Sequence, residues 1–344
     1  MTSFAFAREF RFPICFPIAL LAVAALTACG GGDDTTATTP TTTTQSVSID
    51  FAATVGSTVL NIGKCADTQV NGIATRGGAA VNAKLTDLRF YVSNVKLLKA
   101  DGTAVAVTLD ESTWQANAGT DSLALIDFED GTCTNGGATG GTNTKLTGNV
   151  PSGTYVGVSF VLGVPNALNH TNPALATTPK PIDASVPGMA WSWQAGRKFL
   201  KIELSPENAT TAGTYTGGVQ TITAAGAQAT TTTAGVTTNV ANTNAFVYHL
   251  GNTGCVADAA ATATGGYTCS TNNQVPVTIA AFNPTSQRIT MDLQALFAGN
   301  NATQNTVSTA AGCMSAADDP QCPAMFTALT GAKSGGTIFR AIAK

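Results

Sequence analysis

Polar and apolar residues alternate along several short segments of the chain, which is the two-residue period of strands that bury one face. The alternation is clearest within residues 86–98 and, with one slip in register, within residues 153–162. Turn-forming residues separate these segments, which is typical of all-β proteins. The pattern predicts strands at 46–55, 86–98, 104–109, 153–162, 197–204, 245–250 and 274–282.

Helical segments are few and short in this pattern. Residues 292–297 and 320–329 are the only convincing candidates, and Pro320 suits the first turn of the second one. Together with strands of this length, they predict an all-β fold, a β-sandwich-like domain with long loops, short helices and disulfides.

The N-terminal region has the features of a bacterial export signal. Arg8 and Arg11 precede an apolar stretch, residues 12–26, that is too short for a stable membrane span. The sequence Leu-Thr-Ala-Cys that follows resembles a lipobox, so Cys29 is the expected site of lipidation. Gly30 follows it in place of an aspartate, which favours an outer membrane lipoprotein, periplasmic or on the cell surface. An ordinary secretory signal with an incidental cysteine is the alternative.

Composition divides the chain into a signal peptide at 1–28, a tether and one domain. Residues 29–45 have too few apolar side chains to fold, so a flexible, lipid-anchored linker is expected. Residues 46–344 form the expected β domain. Within it, residues 205–244 alternate small apolar and polar residues, and we expect an insertion there that forms an extra hairpin on one edge.

Charge and composition exclude several functions. The 344 residues are 44% hydrophobic and only 11% charged, with a formal net charge of -3. Because no basic excess is available to neutralise phosphates, a nucleic-acid partner is not expected. The nucleophile elbow, the Walker A loop and the dinucleotide fingerprint are missing from the sequence. These absences do not exclude an enzyme, because a scattered catalytic triad or a pair of carboxylates for glycoside hydrolysis leaves no trace in a sequence pattern.

The cysteines of the domain predict disulfide bonds. Beyond Cys15 in the signal and Cys29 in the lipobox, six of the 8 cysteines remain. An even number in an exported protein indicates disulfides, whereas thiolate metal ligation is disfavoured because no C-x2-C spacing occurs. Six cysteines allow 15 pairings. Short loops favour the pairs Cys255 with Cys269 and Cys313 with Cys322. These two bonds leave Cys65 to pair with Cys133.

Few side chains in the domain can carry metal or ligand chemistry. The 2 histidines are His170, in a turn-rich loop after a strand, and His249, at the end of a strand. Either one alone is more typical of a hydrogen-bonded surface residue, and only the pair favours a metal site. Trp191 and Trp193 stand two apart, so in a strand both would point to one face, as core or ligand-stacking aromatics.

A short acidic turn offers a separate hypothesis about a bound cation. Asp127, Glu129 and Asp130 provide carboxylates that could hold calcium, although most acidic turns of this kind are solvated. Calcium is therefore retained as a cofactor hypothesis.

Several segments of the mature chain together resemble the MbnP-like family, the four-cysteine proteins of the metallo-mystery pair system. The most specific are the LNH-x-NP loop around His170, the W-x-W-Q-x-G-x-K-F segment and the C-terminal C-M-S…D-P-x-C-P-A-x-F pattern. The resemblance covers nearly all of the mature chain. The matching segments are 87–98, 125–133, 153–173, 189–204, 246–255 and 311–326.

This resemblance implies an extracytoplasmic copper-binding protein that is itself modified by a partner. In the family, a dihaem cytochrome c peroxidase-like (MbnH-like) protein oxidises a tryptophan to kynurenine. The resemblance implies that His170 and His249 bind one copper ion and that Trp191 or Trp193 is converted beside them, with Trp114 as a lesser candidate. Kynurenine carries an aromatic amine, and neutral imidazole and amine nitrogens suit Cu(I).

A hypothesis from another functional class stays open beside this one. A β-sandwich surface protein could bind glycans or other cells through the exposed faces of Trp191 and Trp193. Copper titration and glycan binding would separate the two hypotheses.

Overall fold

Short strands dominate the computed structural model, which describes residues 43–60, 69–74, 80–128, 130–131, 140–206, 214–215, 220–221, 228–233, 236–242, 246–302, 304–306, 312–316, 318–331 and 338–344. In these ranges the helices are α1 (Asn166–Asn169), α2 (Leu293–Phe297) and α3 (Cys322–Gly331). The strands are β1 (Thr44–Val55), β2 (Thr58–Val59), β3 (Gln69–Ala74), β4 (Ala80–Leu98), β5 (Ala104–Ala106), β6 (Thr108–Leu109), β7 (Gln115–Ala118), β8 (Asp121–Asp127), β9 (Lys145–Pro151), β10 (Gly157–Leu162), β11 (Ala190–Ser192), β12 (Gly196–Arg197), β13 (Leu200–Pro206), β14 (Thr214–Tyr215), β15 (Gln220–Thr221), β16 (Gln228–Thr233), β17 (Val236–Asn242), β18 (Phe246–Leu250), β19 (Thr253–Thr262), β20 (Gly265–Thr271), β21 (Val275–Ile279), β22 (Gln287–Asp292), β23 (Gln304–Thr306), β24 (Gly312–Cys313) and β25 (Phe339–Ala343).

The larger sheet is built around β4, a strand of 19 residues that pairs with different neighbours along its length. Its order is β21-β10-β4-β13-β18-β24, with β3, β5 and β8 also paired to β4 and β7 paired to β8. Leu88, Phe90 and Val92 are fully buried in this strand, as their alternation predicts. The sheet places β4, β13 and β18 side by side, and these strands carry the charged residues described below.

The smaller sheet packs its apolar side chains against those of the larger one. Its order is β25-β22-β1-β9-β6, with β2 on β1, and β1 runs parallel to β22. Phe51 of β1 meets Phe90 edge-to-face at 5.9 Å, and Phe339 of β25 meets Phe160 at 5.5 Å. Such edge-to-face pairs fill the space between two layers. The arrangement confirms the all-β, sandwich-like fold class.

Each predicted strand segment contains strand, but several ends differ. β1 begins at Thr44, inside the expected linker, because its first residues pair with β9. The segment 104–109 is two strands, and the segment 197–204 is interrupted at residues 198–199, where the chain leaves the β11–β12 hairpin for the large sheet. β10 begins only at Gly157, after a turn. The pattern missed β3, β7, β8, β9, β19, β20, β22 and β25.

The segment expected to be an insertion, 205–244, contains a hairpin of β16 and β17. This hairpin belongs to a sheet of its own, ordered β14-β15-β16-β17-β23, and not to an edge of either sandwich sheet. The prediction of a hairpin is therefore met, and its placement on a sandwich edge is corrected.

The helices and two disulfides agree with the sequence patterns. Asp292 caps α2, while α3 begins at Cys322, two residues later than expected. Bonds join Cys255 to Cys269 and Cys313 to Cys322. Cys29, Cys65 and Cys133 lie outside the described residues. Across the described ranges, no helix is both long and apolar enough to cross a bilayer.

Candidate metal centre

His170 follows the single turn of α1, directly after the loop that leaves β10. Pro165 begins this turn, and its fixed φ suits a helix start. The imidazole is 3% exposed. Gly196 lies against it with φ of +102°, and a Cβ there would come within 3.2 Å of His170 Cε1. A glycine is required at this position because it lets the β11–β12 hairpin approach the histidine.

The hydrogen bonds of His170 define which ring nitrogen carries the proton. The carbonyl oxygens of Trp193 and Gln194 both lie 3.1 Å from Nδ1, and carbonyls only accept. Nδ1 is therefore the protonated nitrogen. Nε2 accepts from Asn169 Nδ2 at 3.0 Å, while Asn169 Oδ1 accepts from the Arg197 backbone N–H, which fixes the orientation of the amide. Nε2 is therefore the ring nitrogen with the lone pair that a metal would use, and in this structure the Asn169 amide donates to it.

Aromatic and sulfur groups of the β19–β20 hairpin surround the same imidazole. Tyr267 stacks on His170 with ring centroids 4.6 Å apart, and Trp193 meets Tyr267 edge-on at 6.0 Å. Cys269 Sγ lies 3.4 Å from Nε2. His170, Cys255 and Cys269 have ligand atoms within 4.8 Å of one another, but the two sulfurs are bonded together and provide no thiolate.

His249 lies in β18 and is only 4% exposed. Its Nε2 is 2.9 Å from Glu203 Oε1 on the neighbouring strand β13. A carboxylate only accepts, so Nε2 carries the proton and Nδ1 holds the lone pair. Nδ1 is buried and has no hydrogen-bond partner among the described residues. A buried, unpartnered nitrogen of this kind fits a metal ligand, because leaving it unpaired otherwise costs about 1–3 kcal/mol.

Both imidazoles are neutral near pH 7. Burial lowers the pKa of His170, partly offset by the two carbonyls, and burial lowers the pKa of His249, partly offset by Glu203. Burial alone would raise the pKa of Glu203, but the hydrogen bond with His249 and the charge of Lys201 lower it overall. A neutral imidazole is the form that binds a metal.

Trp191 and Trp193 occupy different surroundings. β11 ends at Ser192, so Trp193 lies in the following turn, and the expectation that a strand points both indoles to one face is wrong. The Trp191 ring packs on Gly251, where a Cβ would come within 2.5 Å of Cζ3. Trp191 also borders a cleft of about 320 Å³ together with Met314.

The expectation that His170 and His249 bind one metal ion stays a prediction. Contacts of the described residues do not join the imidazoles directly. Asn252 borders both the cavity at His170 and the cleft at Trp191, and it donates a hydrogen bond to Asn166, the first residue of α1. The disulfide also joins the two cavities, because Cys269 lines the first and Cys255 lines the second.

The remaining sequence candidates lie apart from the histidines. Trp114 is half-buried against the core. Asp127 is fully buried at the end of β8, directly across from Arg89, whereas Asp130 is half-buried and Glu129 lies outside the described residues. Because Glu129 lies outside the described residues, the calcium hypothesis for this acidic turn stays a prediction.

Sequence patterns missed the partners that orient the histidines. Asn169, Tyr267 and Glu203 gave no signal as site residues. Glu203 alternates with apolar residues in β13, which is typical of a solvent-facing charge, yet it is buried. One signal was available, because β4 and β13 both carry opposite charges two residues apart, at Asp87 and Arg89 and at Lys201 and Glu203.

Comparisons with known proteins show what the chain as a whole is similar to. The model of the MbnP family matches residues 44–315. The chain is also similar to the solved structure of MbnP from Methylosinus trichosporium, with 29% sequence identity and a TM-score of 0.62. The match covers 88% of this chain and 99% of that one. No curated protein matches the sequence.

Proposed function

Because the chain belongs to the MbnP family, we propose that it is an extracytoplasmic copper-binding lipoprotein without enzymatic activity of its own. His170 Nε2 and His249 Nδ1 are the proposed ligands of one Cu(I) ion. The family membership alone does not identify the copper ligands. They are proposed from the burial and the hydrogen bonds of the two histidines.

The observation that carries the proposal is the buried Nδ1 of His249, which has no partner among the described residues. The opposite nitrogen is held by a carboxylate, as is usual for metal-binding histidines. His170 is oriented in the same way by two carbonyls. Two neutral nitrogens form a low-charge ligand set that suits Cu(I) better than a hard, oxygen-seeking cation.

A third ligand is proposed to come from a modified tryptophan. Conversion of Trp191 or Trp193 to kynurenine by a dihaem cytochrome c peroxidase-like partner would provide an aromatic amine. Trp193 is close to His170 through Tyr267, and Trp191 lies over Gly251, two residues beyond His249. Either position supports a ligand near one of the two histidines. Lipidation at Cys29 would place the domain at the outer membrane, in the periplasm or on the cell surface.

Competition titration with a chromophoric Cu(I) chelator tests the proposed ligands. Untagged protein is titrated under ascorbate, which keeps copper reduced without a thiol that would open the disulfides. We expect one tightly bound Cu(I) per chain, with tight binding lost in His170→Ala and in His249→Ala. Each substitution removes one imidazole of the site and leaves the core disulfides intact.

The double variant is the natural control because the chain contains only 2 histidines. Copper that remains bound to it is held by other ligands. Wild-type stoichiometry in both single variants contradicts the assigned site. Binding of glycans by protein that takes up no copper would instead support the surface-adhesion hypothesis.

A further inference from the structure

Ionisable side chains lie buried in a row across β4, β13 and β18 of the larger sheet. β4 contributes Asp87 and Arg89, β13 contributes Lys201 and Glu203, and β18 contributes His249. Arg89 pairs across the strands with Lys201, and Lys201 with His249, while Asp87 pairs with Glu203. The most exposed of the five is Glu203, at 8%. Burying a charged group costs free energy unless the group is paired, so the contacts within this row need a physical explanation.

The row is an alternating chain of ion pairs. Arg89 contacts Asp87 with two nitrogens, at 2.9 and 2.7 Å. Lys201 Nζ bridges Asp87 Oδ2 at 2.6 Å and Glu203 Oε1 at 3.2 Å. Glu203 Oε1 then accepts from His249 Nε2 at 2.9 Å. Every charge has a partner of opposite sign, and the row ends on the imidazole.

Strand pairing alone would place like charges together. Arg89 lies directly opposite Lys201, and Asp87 directly opposite Glu203, and such pairs are destabilising when they face each other. The side chains avoid this because Lys201 contacts Asp87 diagonally across the two strands and contacts Glu203 two residues along its own strand. Lys201 is therefore held between two carboxylates, and its contact with Glu203 fixes the position of the oxygen that His249 uses.

Glu203 determines which ring nitrogen of His249 has a free lone pair. A carboxylate oxygen accepts and cannot donate, so it keeps the proton on Nε2 and leaves the lone pair on Nδ1. Without Glu203, the proton could move to Nδ1, and the ring could turn. A ligand that must be pre-oriented and unprotonated loses affinity in both cases.

From this geometry we propose that Glu203 is a positioning residue for His249, held in place by Lys201 and Asp87. It keeps His249 in the Nε2–H tautomer with Nδ1 free. The inference rests on the proposed function for its consequence in copper binding, but its structural content applies to the metal-free protein.

Nitrogen NMR of metal-free protein tests the tautomer without any copper. Selective 15N labelling of histidine gives the signals of two imidazole rings, because the chain has only 2 histidines. The spectrum of His170→Ala shows which signals belong to which ring. We expect opposite tautomers, Nδ1–H for His170 and Nε2–H for His249. In Glu203→Leu, we expect the His249 signals to shift to a mixture of tautomers while the His170 signals stay unchanged.

Copper affinity provides the second readout. We expect Glu203→Leu to weaken Cu(I) binding by about 10- to 100-fold, the usual effect of removing a group that orders a metal-binding histidine. Glu203→Gln retains an amide oxygen that can accept from Nε2, so it should restore most of the affinity and the tautomer. Glu111→Leu is the matched control, because it removes an exposed carboxylate that bonds Asn117.

The outcomes separate this inference from the proposed function. An Nδ1–H tautomer of His249 in the wild-type protein overturns the inference, and this test needs no variant to fold. A His249 spectrum and a copper affinity that are both unaffected by Glu203→Leu also overturn it. A wild-type protein that binds no Cu(I) contradicts the proposed function alone, because the tautomer of His249 and its response to Glu203→Leu are still measured.

Discussion

If a tryptophan of this chain is modified as proposed, the surroundings of the individual tryptophans determine which one reacts. Trp191 packs its benzo ring on Gly251, and Trp193 faces Tyr267, whereas Trp114 packs against the hydrophobic core. We expect chain produced with a dihaem cytochrome partner to gain about 4 Da, since one carbon is replaced by one oxygen. Peptide mapping should place the gain on Trp191 or Trp193.

Three phenylalanine variants locate the modification. Either Trp191→Phe or Trp193→Phe should abolish the mass gain, and Trp114→Phe should retain it. Chain made without the partner should keep its unmodified mass. A gain that maps to Trp114, or to none of the three tryptophans, would show that the assigned site is wrong.

Lys198 makes the stability of the domain change with pH in the alkaline range. Burial, reinforced by the charge of nearby Lys201, lowers the pKa of Lys198 to about 8. The unfolded chain, with an ordinary lysine pKa of about 10.4, then binds more protons between these values. Stability contributed by this residue therefore rises as the pH increases from about 8 to about 10.

Urea unfolding of wild type and Lys198→Met measures this effect. We expect the unfolding free energy of wild type, relative to the variant, to increase between about pH 8 and about pH 10. Other lysines and tyrosines titrate in both proteins and cancel in the difference. A difference that is independent of pH would contradict the lowered pKa.

At the scale of elements, one carboxylate joins α2 to the β1–β2 turn and to β25. Asp292 Oδ1 accepts from the backbone N–H of Gln294 and of Gly56, each at 3.0 Å, and Oδ2 pairs with Arg340 at 2.8 Å. We expect Asp292→Ala to lower the unfolding free energy by about 2–4 kcal/mol, since it removes both a helix cap and a partly buried ion pair. Urea denaturation at neutral pH measures the change.

The isosteric variant separates the two contributions. Asp292→Asn retains an oxygen that caps the helix but loses the charge that pairs with Arg340. It should therefore lose less stability than Asp292→Ala. Equal losses in the two variants would show that the cap contributes nothing.

Elements with a strong local pattern were predictable from the sequence. β4 was predicted over residues 86–98 because alternation is a property of neighbouring residues. β9 and the β19–β20 hairpin were missed because their threonine- and glycine-rich sequences resemble loops and become strands only through pairing.

The candidate site shows the same division. His170 and His249 were predictable because the sequence has no other histidines, but their partners were not. Glu203 reaches His249 through the register of β13 with β18, and strand register between distant segments is not encoded in local spacing. The surroundings of Trp193 likewise depend on where β11 ends.

Lipidation at Cys29 would attach the whole molecule to a membrane. If Cys29 is the lipid site, metabolic labelling with a fatty acid should mark the wild-type protein and should not mark Cys29→Ser. Cys255→Ser combined with Cys269→Ser is the control, because it changes cysteines of a described disulfide and should remain labelled. Retained label on Cys29→Ser would refute lipidation at that position.

The position of β1 has a consequence for how the chain folds. β1 opens the domain, yet Phe51 of β1 pairs in parallel with Ile289 of β22, which in turn pairs with β25 at the C-terminal end. Closing so long a loop costs conformational entropy, and pairings of this separation slow folding. During synthesis, the smaller sheet therefore cannot be completed until β25 has emerged. A chain that stops before residue 287 would leave an edge of β1 unpaired, so truncated forms should aggregate where the full chain folds.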